Sequence, residues 1–362
     1  MVAMRLLFLT KRHYTNKDLI ADRFGRLFHL PVQLGRLGHD VSVIALDYRG
    51  SSQTEIAVDG VEFFSLPVRG ASFPSSWRRM SEQARSLRPH AVIGSADTHL
   101  GWMARRIARK REALFVFDLY DNYAAFASAR IPGMKALFER LVGAADLVVG
   151  ASEPLVRLAH RHNSKVALVV NGVDRDLFRP IDKATARARL GFDIGRKLIG
   201  YLGSIEPDRG IETLVDAVGI VRSHEPDTRL LVAGADTMGF GWDPSLHSYR
   251  GVVPQTEVPY LINACDVVVL PYLANAWGDY TYPNKLAEYI ACGVPVVATS
   301  VSGFATVLAG ASQGLCPPGD PAAMAQAITA QLESPVVLPT DDVSSWEALA
   351  EELDEALNEA VT

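Results

Sequence analysis

The sequence predicts an α/β protein built from two Rossmann-like domains, and three observations predict it. Short apolar runs, each ending in a loop and followed by a helical pattern, recur in two series. The chain has 362 residues, 48% apolar and 21% charged, enough for two soluble cores of ordinary size. A helix start, a carboxylate, a glycine stop and a buried strand are packed into Tyr282 to Thr299. The first series is Arg5 to Thr10, Asp40 to Leu46, Ala91 to Gly94, Ala113 to Phe117, Leu147 to Gly150 and Val166 to Val170. The second is Lys197 to Leu202, Arg229 to Ala233, Val267 to Leu270 and Pro295 to Ala298. Such alternation calls for parallel sheets with helices on both faces. Ligands bind these sheets at the carboxyl ends of the strands, so facing domains would hold the active site between them.

Composition narrows the functional classes. Cys265, Cys292 and Cys316 are odd in number, lie in apolar or helical contexts and lack C-x-x-C spacing, as buried thiols in a reducing compartment do. Leu6 to Leu9 is too short an apolar run for a signal segment, and no stretch approaches eighteen apolar residues. The expected location is cytoplasmic. The net charge of −5 conceals an asymmetry: residues 1–171 hold 24 Lys and Arg against 15 Asp and Glu, leaving 12 against 26 in the remainder. Arg69, Arg78, Arg79, Arg85 and Arg88 are interleaved with Phe73 and Trp77, and Arg105, Arg106, Arg109, Lys110 and Arg111 follow. This pattern suits an anionic membrane or a pyrophosphate-linked acceptor, and equally a solvated helix face. Nucleic acid is not an expected partner. No G-x-G-x-x-G follows the first strand, which argues against a nicotinamide dehydrogenase, and there is no Walker lysine, zinc-ligand spacing or Ser-His-Asp triad.

The first loop, Lys11 to Lys17, carries His13 and Tyr14 and leads to Asp22-Arg23-Phe24-Gly25-Arg26. In the second half, Gly203 to Gly210 follows a strand and opens a helix with Ile211, Leu214, Val215 and Val218 on one face. A cation in that loop complements a diphosphate. The helix of the 282–299 segment runs from about Pro283 to Cys292: Pro283 suits its first turn, Gly293 the left-handed residue after the last, and Pro295 blocks continuation. Its free amides and positive dipole end favour phosphate, while Glu288 offers two acceptors to sugar hydroxyls. Lys285 is unfavourable at a helix N-terminus unless an anion binds there. After the linker Pro335 to Thr340, Ser345-Trp346 to Ala360 forms an amphipathic helix.

The 282–299 segment resembles the donor-nucleotide site of the GT-B glycosyltransferases, especially family 4 (glycosyl transferases group 1). That family carries E-x7-E-A-x-A-x-G-x-P-V-V-A-T, and here Glu288 is followed by Tyr-Ile-Ala-Cys-Gly-Val-Pro-Val-Val-Ala-Thr. Its first glutamate is replaced by Tyr280, with Asp279 beside it. Val169-Val170-Asn171-Gly172-Val173-Asp174, with Phe178 and Pro180, resembles the family's hinge segment. Asp174-Arg175-Asp176 lies inside that hinge and is not read as a metal site.

The resemblance implies a GT-B fold: 1–172 as a Rossmann-like acceptor-binding domain, 173–340 as a Rossmann-like nucleotide-sugar-binding domain, and 341–362 as a helix crossing back to the first. It implies a metal-independent glycosyltransferase with no cofactor, a nucleotide diphosphate sugar as co-substrate, and a glycan, lipid-linked or small hydroxylated acceptor. Glu288 would hold the ribose, Tyr280 stands on the transferred-sugar side, and Gly203, Ser204, Arg209, Asn284 and Lys285 would surround the diphosphate. Ser204 and Arg209 occupy positions that carry arginine and lysine in the family, and Ile20-Ala21 replaces its Gly-Gly pair, with Arg23, Gly25 and Arg26 as substitutes. Asp118 stands where the family usually has histidine under the anomeric carbon, as a general base or as a cap. Asp97, His99 and Asp121 are neighbouring candidates. A membrane contact would lie at the inner face of the plasma membrane. The alternatives are a nucleotide-sugar epimerase on the same fold and a donor- or partner-binding pseudoenzyme.

Overall fold

The computed structural model describes residues 3–14, 17–50, 53–69, 72–126, 130–274, 284–301 and 303–361. The chain forms two compact units, Met1–Gly172 with Trp346–Thr362, and Val173–Ser345.

In the first unit β1 (Arg5–Lys11) leads through the small hairpin β2 (His13–Tyr14) and β3 (Lys17–Asp18) to α1 (Arg26–Arg36). There follow β4 (Asp40–Asp47), β5 (Thr54–Val58), β6 (Val61–Pro67), α2 (Phe73–Leu87), β7 (Ala91–Ser95), α3 (Thr98–Arg111), β8 (Leu114–Leu119), α4 (Met134–Gly143), β9 (Leu147–Gly150), α5 (Glu153–Ala159) and β10 (Val166–Leu168). The sheet order is β10-β9-β8-β7-β1-β4-β6-β5, parallel throughout except for the antiparallel β5–β6 pair. The five central residues of β1 and all five of β7 are buried, because helices cover both faces. β5 and β6 lie outside the expected strands. Their turn is Asp59-Gly60, both residues at positive φ (49° and 82°), the Asp-Gly signal of a tight hairpin.

The second unit runs α6 (Lys183–Leu190), β11 (Leu198–Leu202), α7 (Ile211–Arg222), β12 (Arg229–Ala233), β13 (His247–Tyr249), α8 (Val258–Ala264), β14 (Val267–Leu270), α9 (Asn284–Ala291), β15 (Val296–Thr299), α10 (Phe304–Val307), β16 (Leu315–Cys316) and α11 (Pro321–Glu333). Its parallel sheet has the order β13-β12-β11-β14-β15-β16. The very short β16 was not expected, and the strand that the resemblance places at Arg250 to Val253 lies just ahead of those residues, as β13 ending at Tyr249. Gly293 has φ 67°, as a residue ending α9 should.

The chain then returns as α12 (Trp346–Val361), which packs on α1 within the first unit. Trp346, Leu349, Ala350, Leu353 and Leu357 form its buried stripe at helical spacing. Trp346 stacks on His29 with centroids 5.2 Å apart, and Gln33 Nε2 donates to Glu347 Oε1 at 2.8 Å. His39 Nδ1 accepts the Met4 amide at 3.0 Å, and its Nε2 lies 3.0 Å from a carboxylate oxygen of buried Asp354.

In each sheet the strand order reverses beside the first strand of the unit, between β1 and β7 and between β11 and β14. These are the topological switch points where open α/β sheets bind ligands. No helix among the described residues is long and apolar enough to cross a membrane.

Candidate functional site

At the switch point of the second unit the chain leaves β11 at Gly203. Its amide donates to Ala233 O at 2.8 Å, and the carbonyl of Ser204 accepts the Tyr201 hydroxyl at 2.7 Å. Buried Tyr289, on α9, donates to Leu202 O at 3.4 Å and accepts the Leu202 amide at 3.1 Å. Two tyrosines thus fix the strand end where the loop begins. Their phenol groups are pushed well above the ordinary tyrosine range, chiefly by burial, and stay neutral donors.

Two glycines let the loop pack without side chains. A Cβ on Gly234 would lie 1.9 Å from Gly203 O, and one on Gly210, at φ 68°, would lie 1.9 Å from Pro271 O. Gly210 is also the N-cap of α7 and makes no side-chain cap bond, so the first-turn amides of α7 face the loop without a capping side chain. Arg209 sits beside Glu206 (Nε to Oε2, 3.4 Å) with its guanidinium 4.8 Å from the centre of the Tyr272 ring. Lys285 arrives from α9: a Cβ on Gly203 would come within 2.7 Å of its Cε. The structure therefore brings Gly203, Ser204, Arg209 and Lys285 to one loop. Asn284 and Glu288 lie on the same helix, both half-buried, and Asn284 Oδ1 is buried with no hydrogen-bond partner among the described residues. Tyr280, like Asp279 and Pro283, lies outside the described residues.

At the first unit's switch point Lys11 ends β1, and its Nζ pairs with Asp97 Oδ2 at 2.8 Å just beyond β7. Asp97 Oδ1 caps α3 by accepting the Thr98 amide at 2.7 Å, with His99 Nδ1 at 3.4 Å. His99 Nε2 meets the Tyr48 hydroxyl at 2.5 Å. Burial alone would raise the Asp97 pKa, but hydrogen bonds from His99 and Lys11 and their charges outweigh it and hold the carboxyl well below its usual range. Ala96 adopts φ 80°, which costs an L-residue energy. Its amide donates to the Tyr123 hydroxyl at 2.9 Å, which in turn donates to Asp118 O at 2.8 Å.

Asp118, the penultimate residue of β8, is in a different state from the open strand-end carboxylate that the sequence suggested. It is 6% exposed; Oδ1 accepts from Arg26 at 2.8 Å and Oδ2 from Ser95 at 2.6 Å. Arg26, expected as a substitute contact for donor phosphates, is buried and also donates to Val169 O (2.8 Å), Val170 O (3.3 Å) and Asn171 Oδ1 (3.2 Å). That expectation is corrected: this guanidinium is used inside the first unit, tying α1 to β8 and to the segment leaving β10. Asp121 is buried and accepts the Asn122 amide at 2.6 Å. His13 and Arg12 lean on Asp47 and Asp18, and the Tyr14 hydroxyl donates to Phe24 O. Ser95 and Tyr123 were given no role from sequence. A tyrosine among apolar residues was the available signal, since its hydroxyl needs a partner when buried.

Among the described residues, no three His, Cys, Asp or Glu side chains converge as metal ligands. Asp174 Oδ1 instead accepts the amides of Asp176 and Leu177, at 3.0 and 3.2 Å.

Residues 26–172 match the glycosyl transferase 4-like domain, and residues 196–334 match glycosyl transferases group 1. The D-inositol 3-phosphate glycosyltransferase of Segniliparus rotundus is 32% identical over 164 residues, 42% of this chain and 35% of that protein. One from Mycobacterium sp. strain KMS is 27% identical over 279 residues, 68% of this chain and 59% of the relative. The matches cover only 35% to 50% of the length of the first three curated relatives. Among solved structures, sucrose-phosphate synthase from Thermosynechococcus elongatus superposes with TM-score 0.77 at 18% identity, covering 98% of both chains. Anabaena HepE in complex with UDP gives 0.74 at 15% identity, covering 98% of this chain and all of that one.

Proposed function

This chain belongs to the group 1, family 4-like glycosyltransferases with the GT-B fold, and from that premise we propose that it transfers a sugar from a nucleoside diphosphate sugar to an acceptor hydroxyl. One observation carries the reading. At the switch point of the second unit, Gly203, Arg209, Lys285 and the first turn of α7 converge, with Glu288 on the helix that supplies the lysine. Two cations and free helix amides form a receptor for a diphosphate leaving group, and they balance its charge without a metal ion. Arg209 can bind two phosphate oxygens at once. Glu288 takes the ribose hydroxyls, and Asn284 Oδ1 offers a buried acceptor to a donor hydrogen. Similar structures, of Anabaena HepE in complex with UDP and with UDP-glucose, support a donor of this class.

The first unit serves the acceptor, a glycan, lipid-linked or small hydroxylated molecule, at the Lys11–Asp97–His99 end of its sheet. A lipid-linked acceptor would bring that unit to an anionic membrane. Asp97, Asp118 and Asp121 are all buried and hydrogen-bonded. Transfer of the attacking hydroxyl's proton to the departing phosphate oxygen, a route that retains anomeric configuration, asks for none of these three carboxylates. Incubation with a panel of nucleotide sugars, with and without hydroxylated acceptors and each in the presence and absence of EDTA, tests the reading. Donor hydrolysis or transfer with retained configuration supports it. Isomerised donor would make the protein an epimerase, binding without turnover a pseudoenzyme, and loss of turnover on chelation with recovery by Mg²⁺ would refute the metal-free site.

A further inference from the structure

The helices α2 and α3 pack side by side on the first unit and assemble a surface that the transfer reaction does not use. Trp77 of α2 and Trp102 of α3 stack with centroids 6.4 Å apart and planes 30° from parallel, and the guanidinium of Arg106 lies 5.7 Å from the centre of each ring. Trp102 is 41% exposed and Phe73 44%. Large apolar rings left in water beside cations have no purpose in the core. Between Phe73 and Glu112 the chain holds nine Lys and Arg against three Asp and Glu. Asp97 is buried, and Glu82 is bonded to Arg78 at 2.8 Å. Arg79, Arg85, Arg106, Arg109 and Lys110 are all exposed. On α3 the spacing of Trp102, Arg106, Arg109 and Lys110 puts them on one outer stripe.

We infer that this α2–α3 face docks on the surface of an anionic phospholipid bilayer. Tryptophan at the headgroup level, with an apolar body and a polar N–H, is the side chain that favours a membrane–water interface, and clustered arginines are drawn to anionic headgroups. Arg106 fills both roles, since stacking on the two indoles holds its charge at the edge of the aromatic patch. Trp102 lies one helical turn beyond His99, so docking here brings the acceptor end of the sheet close to the lipid surface.

The test is co-sedimentation of the purified protein with vesicles of phosphatidylcholine alone and of phosphatidylcholine with phosphatidylglycerol, without donor or acceptor. Failure here leaves the transferase reading standing, and a failed transfer assay leaves this surface standing. Wild type is expected to partition to the anionic vesicles only, and less as salt is raised past the point where the Debye length falls below about 8 Å. R109E/K110E, at exposed positions outside the donor and acceptor groups, should weaken partition at least about tenfold while the thermal midpoint stays put. Trp102→Ser should do so without changing the salt slope. Equal partition to neutral and anionic vesicles, no partition to either, or wild-type behaviour of R109E/K110E would overturn the inference.

Discussion

Asp118 shows what a strand-end carboxylate looks like when it is used for structure. Its two oxygens go to Arg26 and Ser95, and the pair is sealed from water. Asp118→Asn keeps the shape but leaves a buried guanidinium uncompensated, which costs about 3–5 kcal/mol. Urea unfolding should show that loss, while turnover of the folded fraction stays near wild type. A catalytic base would behave in the opposite way, losing roughly 10²–10⁴ in rate at unchanged stability. Asp97 makes a separate prediction through pH. Its folded pKa is depressed, so it contributes stability above the unfolded value of about 4 and loses it as pH falls toward the folded pKa. Asparagine is as good an N-cap for α3 but does not titrate. Denaturation of Asp97→Asn should therefore fall less steeply than wild type between about pH 4 and pH 2; parallel acid limbs would mean that Asp97 adds no pH-dependent stability. None of these pairings was legible in sequence, because Arg26 and Asp118 are 92 residues apart and meet only once β8 and α1 are placed.

At the scale of elements, the loop between β11 and α7 depends on two glycines more than on its charges. Gly210→Ala would force a Cβ against Pro271 O in a left-handed backbone, beyond the roughly 1 kcal/mol that alanine ordinarily loses there. The loop must shift, and Arg209 with it. Nucleoside diphosphate affinity should drop at least about tenfold, although no charge is removed; calorimetry showing wild-type affinity would mean that the loop does not position the donor. The loop, α9 and its glycine stop were readable because their signals are local. The β5–β6 hairpin was missed despite its Asp-Gly turn, since β5 is an edge strand with alternating exposure and no continuous apolar run. Asp97, His99 and Asp118 were likewise readable as residues at or just beyond the ends of β7 and β8, but the partners that bury the two aspartates were not.

For the whole molecule, two series of buried parallel strands gave away the paired Rossmann-like architecture, and the amphipathic stripe of α12 gave away the helix, whose place beside the first unit only the family resemblance implied. Cys265, Cys292 and Cys316 are buried as expected, and burial pushes the thiols of Cys292 and Cys316 up to about 12 and about 11. They should resist alkylation in the native protein at neutral pH and react together on unfolding; a thiol modified rapidly before unfolding would contradict this burial. The central claim is that the second unit receives a nucleoside diphosphate through Glu288, Lys285 and Arg209. Calorimetric titration of UDP, GDP and ADP into wild type and Glu288→Ala, in EDTA, measures it directly. The account predicts that at least one diphosphate binds the wild type, and that Glu288→Ala, still folded, binds it about 1.5–3 kcal/mol more weakly. Wild-type affinity in the variant, or a requirement for Mg²⁺ before any diphosphate binds, would contradict it.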